Sequence, residues 1–185
     1  MSILTHQIEE SILIDAPPTV VWAILTDLPG WTEWNTFAIK AEVVAGGPGQ
    51  SGQRHPPLAV GSHQLLTVLS NNSNSNTHAH TLKPSTSVYS NTVSVLEPPG
   101  NSAKGYGELR WGGQWLHPVV LDTKHWCLLE PEGEDGGQTL FTQGELFSGL
   151  VVPVSRALGT LDEMQAGYVR MNEDLRRRAE GDRRE

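Results

Sequence analysis

Apolar residues in the first segment alternate with polar ones. Ile8, Ile12 and Ile14 share one parity while Gln7, Glu9 and Ser11 take the other, the period of a strand covered on one face. Glu10 and Leu13 break that pattern. Pro17 and Pro18 stand where a helix can begin, because first-turn amides lack internal partners, and Val20, Val21, Ile24 and Leu25 follow at helical spacing up to Asp27-Leu28-Pro29-Gly30. Trp31 to Asn35 fits one more helical turn. Phe37, Ile39, Ala41 and Val43 then alternate as a second strand, and Leu65 to Leu69 is a short apolar run after a Gly/Pro-rich loop over 46–61. Further strands are expected at about Thr86 to Glu97, Tyr106 to Gln114, Thr123 to Glu130 and Gln138 to Phe147, with short connections that make neighbours antiparallel. Val154, Ala157, Leu158, Leu161, Met164, Tyr168, Met171 and Leu175 recur at steps of three and four, predicting one long amphipathic helix after Pro153.

Composition narrows the class. The 185 residues suit a single domain, expected over 1–178, with a polar, mobile insert at about 70–85 around Asn71 to Thr77 and a charged tail at 179–185. Net charge is −8, and six of the 13 basic residues lie in the last 16 positions, so residues 1–169 carry −9. An acidic body argues against nucleic-acid partners, which need clustered Lys and Arg. The lone Cys127 excludes an intramolecular disulfide framework and a Cys-based zinc site and suits a reducing compartment. The start, MSILTHQIEESILID, reads as neither a signal peptide nor a membrane span, so a cytoplasmic location without integral membrane association is expected, as monomer or homodimer.

A strand, a helix and a helical turn, a run of antiparallel strands and a long last helix make an α+β arrangement. The sequence resembles the START-like helix-grip superfamily, the polyketide cyclase/dehydrase and lipid-transport (SRPBCC) group. Ile14-Asp15-Ala16-Pro17, Val21-Trp22, Asp27, Trp34-Asn35, Leu109-Arg110-Trp111-Gly112-Gly113, His125, Gly137-Gln138-Thr139 and Glu145 to Leu150 carry the resemblance. It departs from the usual pattern at the polar insert and at Thr36, where Pro commonly follows Trp-Asn. The resemblance implies a curved antiparallel sheet of about six to seven strands wrapped around the C-terminal helix, two short helices after the first strand, and an internal hydrophobic cavity. It also implies a hydrophobic small-molecule ligand or substrate and no cofactor. The superfamily spans cyclases, carriers and receptors, so fold alone does not choose among them.

The chemistry rests on the two strands before the last helix. Hydrophobicity leaves their inward faces open: His125, Cys127 and Leu129 compete with Trp126 and Leu128, and Phe141, Gln143, Glu145 and Phe147 compete with the opposite parity. The resemblance favours Phe141 and Phe147 inward, with Gln143 and Glu145 on the cavity wall. A hairpin turning near Glu134 sets His125 opposite Gln143 to Glu145, so a cross-strand His125/Glu145 acid–base pair is the catalytic candidate. Such a pair serves aldol cyclisation, dehydration or isomerisation, a lyase or isomerase of secondary metabolism; the alternative is an ion pair in the wall of a non-catalytic lipid carrier. Leu109, Trp111 and Gly113 share a parity that leaves Glu108, Arg110 and Gln114 for the wet face, so Trp111 either stacks on a ligand or packs in the core. Trp115 and His117 sit in a loop read as a cavity mouth. Tyr89, Met164, Tyr168 and Trp34 complete the ligand-binding set, and His63 is a further polar candidate. Gly159 and Gly167, read as interior to the long helix, either leave room for a ligand or mark a bend. A metal site at His78/His80 is not expected, for want of a third ligand in register.

Overall fold

The computed structural model describes residues 4–47, 56–70, 85–100, 104–115 and 117–181. The polar insert at Asn71 to Thr77, the His78/His80 pair and residues 182–185 of the charged tail lie outside the described residues. Strand β1 (Thr5–Ile14) is followed by α1 (Pro18–Thr26), a 3-10 turn at Leu28–Gly30 and a one-turn α2 (Trp31–Trp34). Six strands come next: β2 (Ala38–Ala45), β3 (His63–Ser70), β4 (Ser85–Glu97), β5 (Gly107–Trp115), β6 (Leu121–Glu132) and β7 (Gln138–Ser148). The chain ends with α3 (Val152–Ala157) and α4 (Thr160–Ala179). All seven strands form one antiparallel sheet in the order β1-β7-β6-β5-β4-β3-β2. Only β1 crosses over, pairing with the last strand. The arrangement is a helix-grip fold, with α4 held on the inner face.

Local signals explain the elements that position this face. Pro18 opens α1 with no amide proton to leave unpaired, and the backbone N–H of Asp27 closes it onto Ala23. The Oδ1 of Asn35 accepts from the amides of Phe37 (3.0 Å) and Ala38 (2.8 Å), a side-chain turn that starts β2. At Thr36 the amide and hydroxyl both donate to Asp174 Oδ2 on α4, at 2.8 and 2.6 Å, while Arg177 pairs with the same buried carboxylate. Proline has no N–H to give, which accounts physically for threonine here. Thr36→Pro removes both donors and is expected to cost about 3 kcal/mol, the worth of two hydrogen bonds to a charged acceptor, read as a Tm lowered by about 6–12 °C.

Two expectations are corrected. The long helix does not begin after Pro153: Gly159, at φ 73°, takes the left-handed conformation and breaks the run into α3 and α4. Val154 therefore sits on a separate short helix and Leu158 at its C-cap, both largely exposed, rather than on the buried stripe. Glu108 is not on a wet face; it is 1% exposed and paired with the half-exposed Lys104 and Arg110. Burial alone would raise its carboxyl, but the hydrogen bonds from the two cations outweigh burial and hold it below the ordinary value. The strand ends also differ by one or two residues, β6 running from Leu121 to Glu132 because both flanks continue the ladder with β7.

Candidate functional site

Between the inner face of the sheet and α3–α4 lies a cavity of about 370 Å³. Leu66, Val68, Trp111, Phe147, Met164 and Met171 give it a mainly apolar wall, and Trp31 and Phe37 close the end beside α2. The inward parity of β6 is that of His125, Cys127 and Leu129, all buried, while Trp126 packs outward over Gly144. His125 and Glu145 are directly opposed in the β6–β7 ladder.

The imidazole and carboxylate do not meet as a simple pair. Their closest approach, His125 Nδ1 to Glu145 Oε2, is 3.8 Å, too long for a hydrogen bond. Tyr168 of α4 stands between them, its hydroxyl donating to Glu145 Oε2 and lying 3.3 Å from His125 Nδ1. A phenol has one proton, and here the carboxylate takes it, so the contact with Nδ1 requires a proton on Nδ1 and a tyrosine oxygen that accepts. In a neutral imidazole that leaves Nε2 as an acceptor, 3.5 Å from the thiol of Cys127. The result is a chain of donors, Cys127 to His125 to Tyr168, ending on Glu145. Trp111 stacks face to face on the imidazole at 4.1 Å between centroids, and Tyr168 meets it edge-on at 5.3 Å. His125 is thereby fixed on both sides. Glu145 is the more accessible of the two, 12% exposed against 4%.

Burial and charge act in one direction on the phenol and the thiol. Burial, reinforced by the adjacent Glu145 charge, lifts Tyr168 well above its ordinary value of 10.0, and burial alone raises Cys127 from 9.0. Burial also raises Tyr89, a hydrogen bond from Ser87 opposes it, and Glu145 adds to the rise across the cavity. A raised pKa means that the folded state holds its proton more tightly than the unfolded one. The stability so gained is complete below pH 9 and is lost as pH climbs past 9 and then past 10. The urea midpoint is therefore expected to fall between pH 8 and pH 10.5, and to fall less in Cys127→Ala, which lacks the thiol and keeps the two phenols.

The remaining candidates divide. Tyr89, Trp111, Phe147, Met164 and Tyr168 line the cavity with His125 and Glu145. Phe141 does not: it is wholly buried in the core. Gln143 does not either, because its Nε2 donates to Asn172 Oδ1 at 2.6 Å and to the Tyr168 carbonyl at 3.3 Å, tying β7 to α4. Trp34 packs against Trp31 at 5.8 Å, outside the cavity lining. His117 is exposed, its Nδ1 accepting from the Val119 amide, and the Trp115 side chain is outside the described residues. His63 faces outward to Thr92. Glu10 is in mid-strand, opposite Gln143, and accepts from Gln165 of α4 at 2.8 Å. Gly167 leaves no room for a ligand, since Phe37 already fills the space beside it. Sequence reasoning missed Trp31, Phe37, Leu66 and Asn91, whose cavity positions depend on how the sheet closes over the helices.

An antiparallel sheet gripping a C-terminal helix over a mainly apolar cavity defines a helix-grip fold. The chain belongs to the polyketide cyclase / dehydrase and lipid transport family, whose model matches residues 5–111. The match includes Tyr89 and Trp111 and stops short of His125, Glu145 and Tyr168. No sequence match is found among curated proteins. Solved structures share the fold over nearly the full length. The Zhui aromatase/cyclase from Streptomyces sp. R1128 is 16% identical, with a TM-score of 0.60 over 95% of this chain and 94% of that one. A START superfamily protein from Mycobacterium smegmatis is 16% identical, with a TM-score of 0.61 over 95% and 97%. Major latex-like protein 151 from Panax ginseng is 8% identical, with a TM-score of 0.63 over 95% and 98%. No helix among the described residues is long and apolar enough to cross a membrane.

Proposed function

We propose that the protein binds a mainly apolar small molecule in the cavity and acts on it as a cofactor-independent acid–base enzyme of the cyclase, dehydratase or isomerase type. The observation that carries the reading is the partly exposed carboxylate of Glu145, set in an apolar wall and tied through Tyr168 to His125. Glu145 is the group that takes a proton from an enolisable carbon or a hydroxyl. Tyr168 and His125 orient it and stabilise its charge, which makes them positioning residues unless substrate reaches them. Likeness to an aromatase/cyclase agrees with this assignment without choosing a substrate.

One feature favours a second reading, a carrier. His125 is enclosed by Trp111, Tyr168 and Cys127, so the donor chain is satisfied without any ligand. Native mass spectrometry of the purified protein tests the common part of both readings, since a retained apolar molecule is expected. Deuterium exchange at the α-carbon of a fused-ring ketone such as tetralone, followed by NMR, separates them. Exchange accelerated by the wild-type protein supports acid–base chemistry; binding of the ketone with no acceleration supports carriage.

A further inference from the structure

We infer that Asn91 is the specificity-determining residue of the cavity, its carboxamide donating to a carbonyl oxygen of the ligand at a place apart from Glu145. This rests on the cavity-binding reading and adds a chemical requirement to it. Of the polar side chains that line the cavity, those of Asn91, His125 and Tyr168 are buried, at 7%, 4% and 4% exposure. His125 and Tyr168 bond to each other and onward to Cys127 and Glu145, whereas the Asn91 carboxamide has no hydrogen bond among the described residues. Burying a carboxamide with neither atom bonded is costly, so the space it faces is where its partner comes from. That space is the cavity. Gly113 of β5 lines it with Trp111, on the same parity, and a β-carbon at Gly113 would fall 2.7 Å from Asn91 Oδ1. The carboxamide therefore lies over the glycine on the inner face of the sheet, where Gly113 has no side chain to cover it.

Other buried amides with an unpaired atom do a different job. Asn35 accepts through Oδ1 from two backbone amides and Gln143 donates through Nε2 to α4, so each holds the fold with one atom, outside the cavity lining. The side chain of Asn91 ties nothing together. Gln64, its partner in the β3–β4 ladder, is buried outside the lining with Nε2 unpaired. An Nε2 only donates, so it competes for Asn91 Oδ1 and leaves the Nδ2 donor for the ligand. Chemistry then sorts the ligand's oxygens. Glu145 accepts from Tyr168 and repels the lone pairs of a carbonyl, while Asn91 Nδ2 attracts them. In the sheet order β4 and β7 stand three positions apart, about 14 Å along the sheet at the usual strand spacing. The carbonyl received by Asn91 is thus not the one beside the carbon on which Glu145 acts, and the ligand carries a second oxygen function well removed from its reacting end.

Calorimetric titration with benzophenone and with 1,1-diphenylethylene, in which a methylene replaces the carbonyl oxygen, tests this. Neither compound offers Glu145 a proton. The wild-type protein is expected to bind the ketone at least as tightly as the hydrocarbon, and Asn91→Leu to shift the ratio of the two affinities about tenfold toward the hydrocarbon, the effect of one buried hydrogen bond lost. Tyr89→Phe, which removes the cavity-lining phenol of the same strand, is expected to leave the ratio unchanged. A wild-type protein that binds the hydrocarbon more tightly than the ketone overturns the proposal and leaves cavity binding intact, the carboxamide then belonging to Gln64. An unchanged ratio in Asn91→Leu, or a ratio moved by Tyr89→Phe instead, overturns it equally. Failure of both compounds to bind removes the cavity-binding reading and this proposal with it. If Asn91→Leu does not fold, the wild-type preference and its persistence in Tyr89→Phe decide the matter.

Discussion

Glu145→Gln is expected to slow deuterium exchange into a cavity-bound fused-ring ketone by 10²- to 10⁴-fold, the range that one positioned general base contributes. The substitution keeps the side chain's shape. Its carbonyl oxygen can still accept from Tyr168, so the network that fixes His125 is retained and only the proton-accepting charge is lost. Affinity for the ketone is expected to change by no more than a few-fold, because most of the contact area comes from Trp111, Phe147, Met164 and Met171. Tyr168→Phe separates the roles further. It removes the bridge while leaving the carboxylate, so a positioning role appears as a shift in the pH profile of exchange, with His125→Ala following the same direction. If Glu145→Gln weakens binding and leaves exchange unchanged, the carboxylate belongs to recognition and the carrier reading gains.

How far this site can be read from sequence depends on the range of the interactions that make it. The opposition of His125 and Glu145 is a local matter, because a hairpin turning near Glu134 fixes register for the whole of β6 and β7. The helix start at Pro18 and the turn at Asn35 are likewise written in adjacent residues. What joins the pair chemically is not local: Tyr168 arrives on α4, more than 20 residues beyond Glu145, and hydrophobic periodicity gives its stripe without its depth or rotation. The break at Gly159 escaped for a related reason. The apolar spacing of Val154 and Leu158 continues that of α4 across it, and a positive φ leaves no mark on a hydrophobic pattern. Glu108 was misplaced because charge predicts exposure only until cations cover it, and Lys104 and Arg110 do so. Gln64 and Asn91 gave no signal as polar residues in strands; only their burial makes them conspicuous.

Gly167→Ala is expected to destabilise the fold by about 2 kcal/mol, lowering Tm by about 4–8 °C, against the sign that helix propensity predicts. In an unobstructed helix interior alanine is favoured over glycine by about 1 kcal/mol. Here a β-carbon at 167 would stand 2.2 Å from Phe37 Cε2, with two further ring atoms within 2.5 Å. The ring cannot turn aside freely, being 4% exposed, edge-on to Tyr168 at 5.7 Å and covered by the Arg170 guanidinium. Overpacking of this kind costs more than the propensity returns. Because Phe37 and Tyr168 both line the cavity, the displaced ring is also expected to weaken binding of an apolar probe and to disturb the contact between Tyr168 and Glu145. Phe37→Leu in the same chain relieves the collision and is expected to recover part of the stability lost in Gly167→Ala, a coupling that thermal denaturation of the single and double variants measures directly. Recovery of stability without recovery of probe affinity would assign the Phe37 ring to the ligand as well as to the packing of α4. An additive cycle would instead show that Gly167 is required for the helix alone.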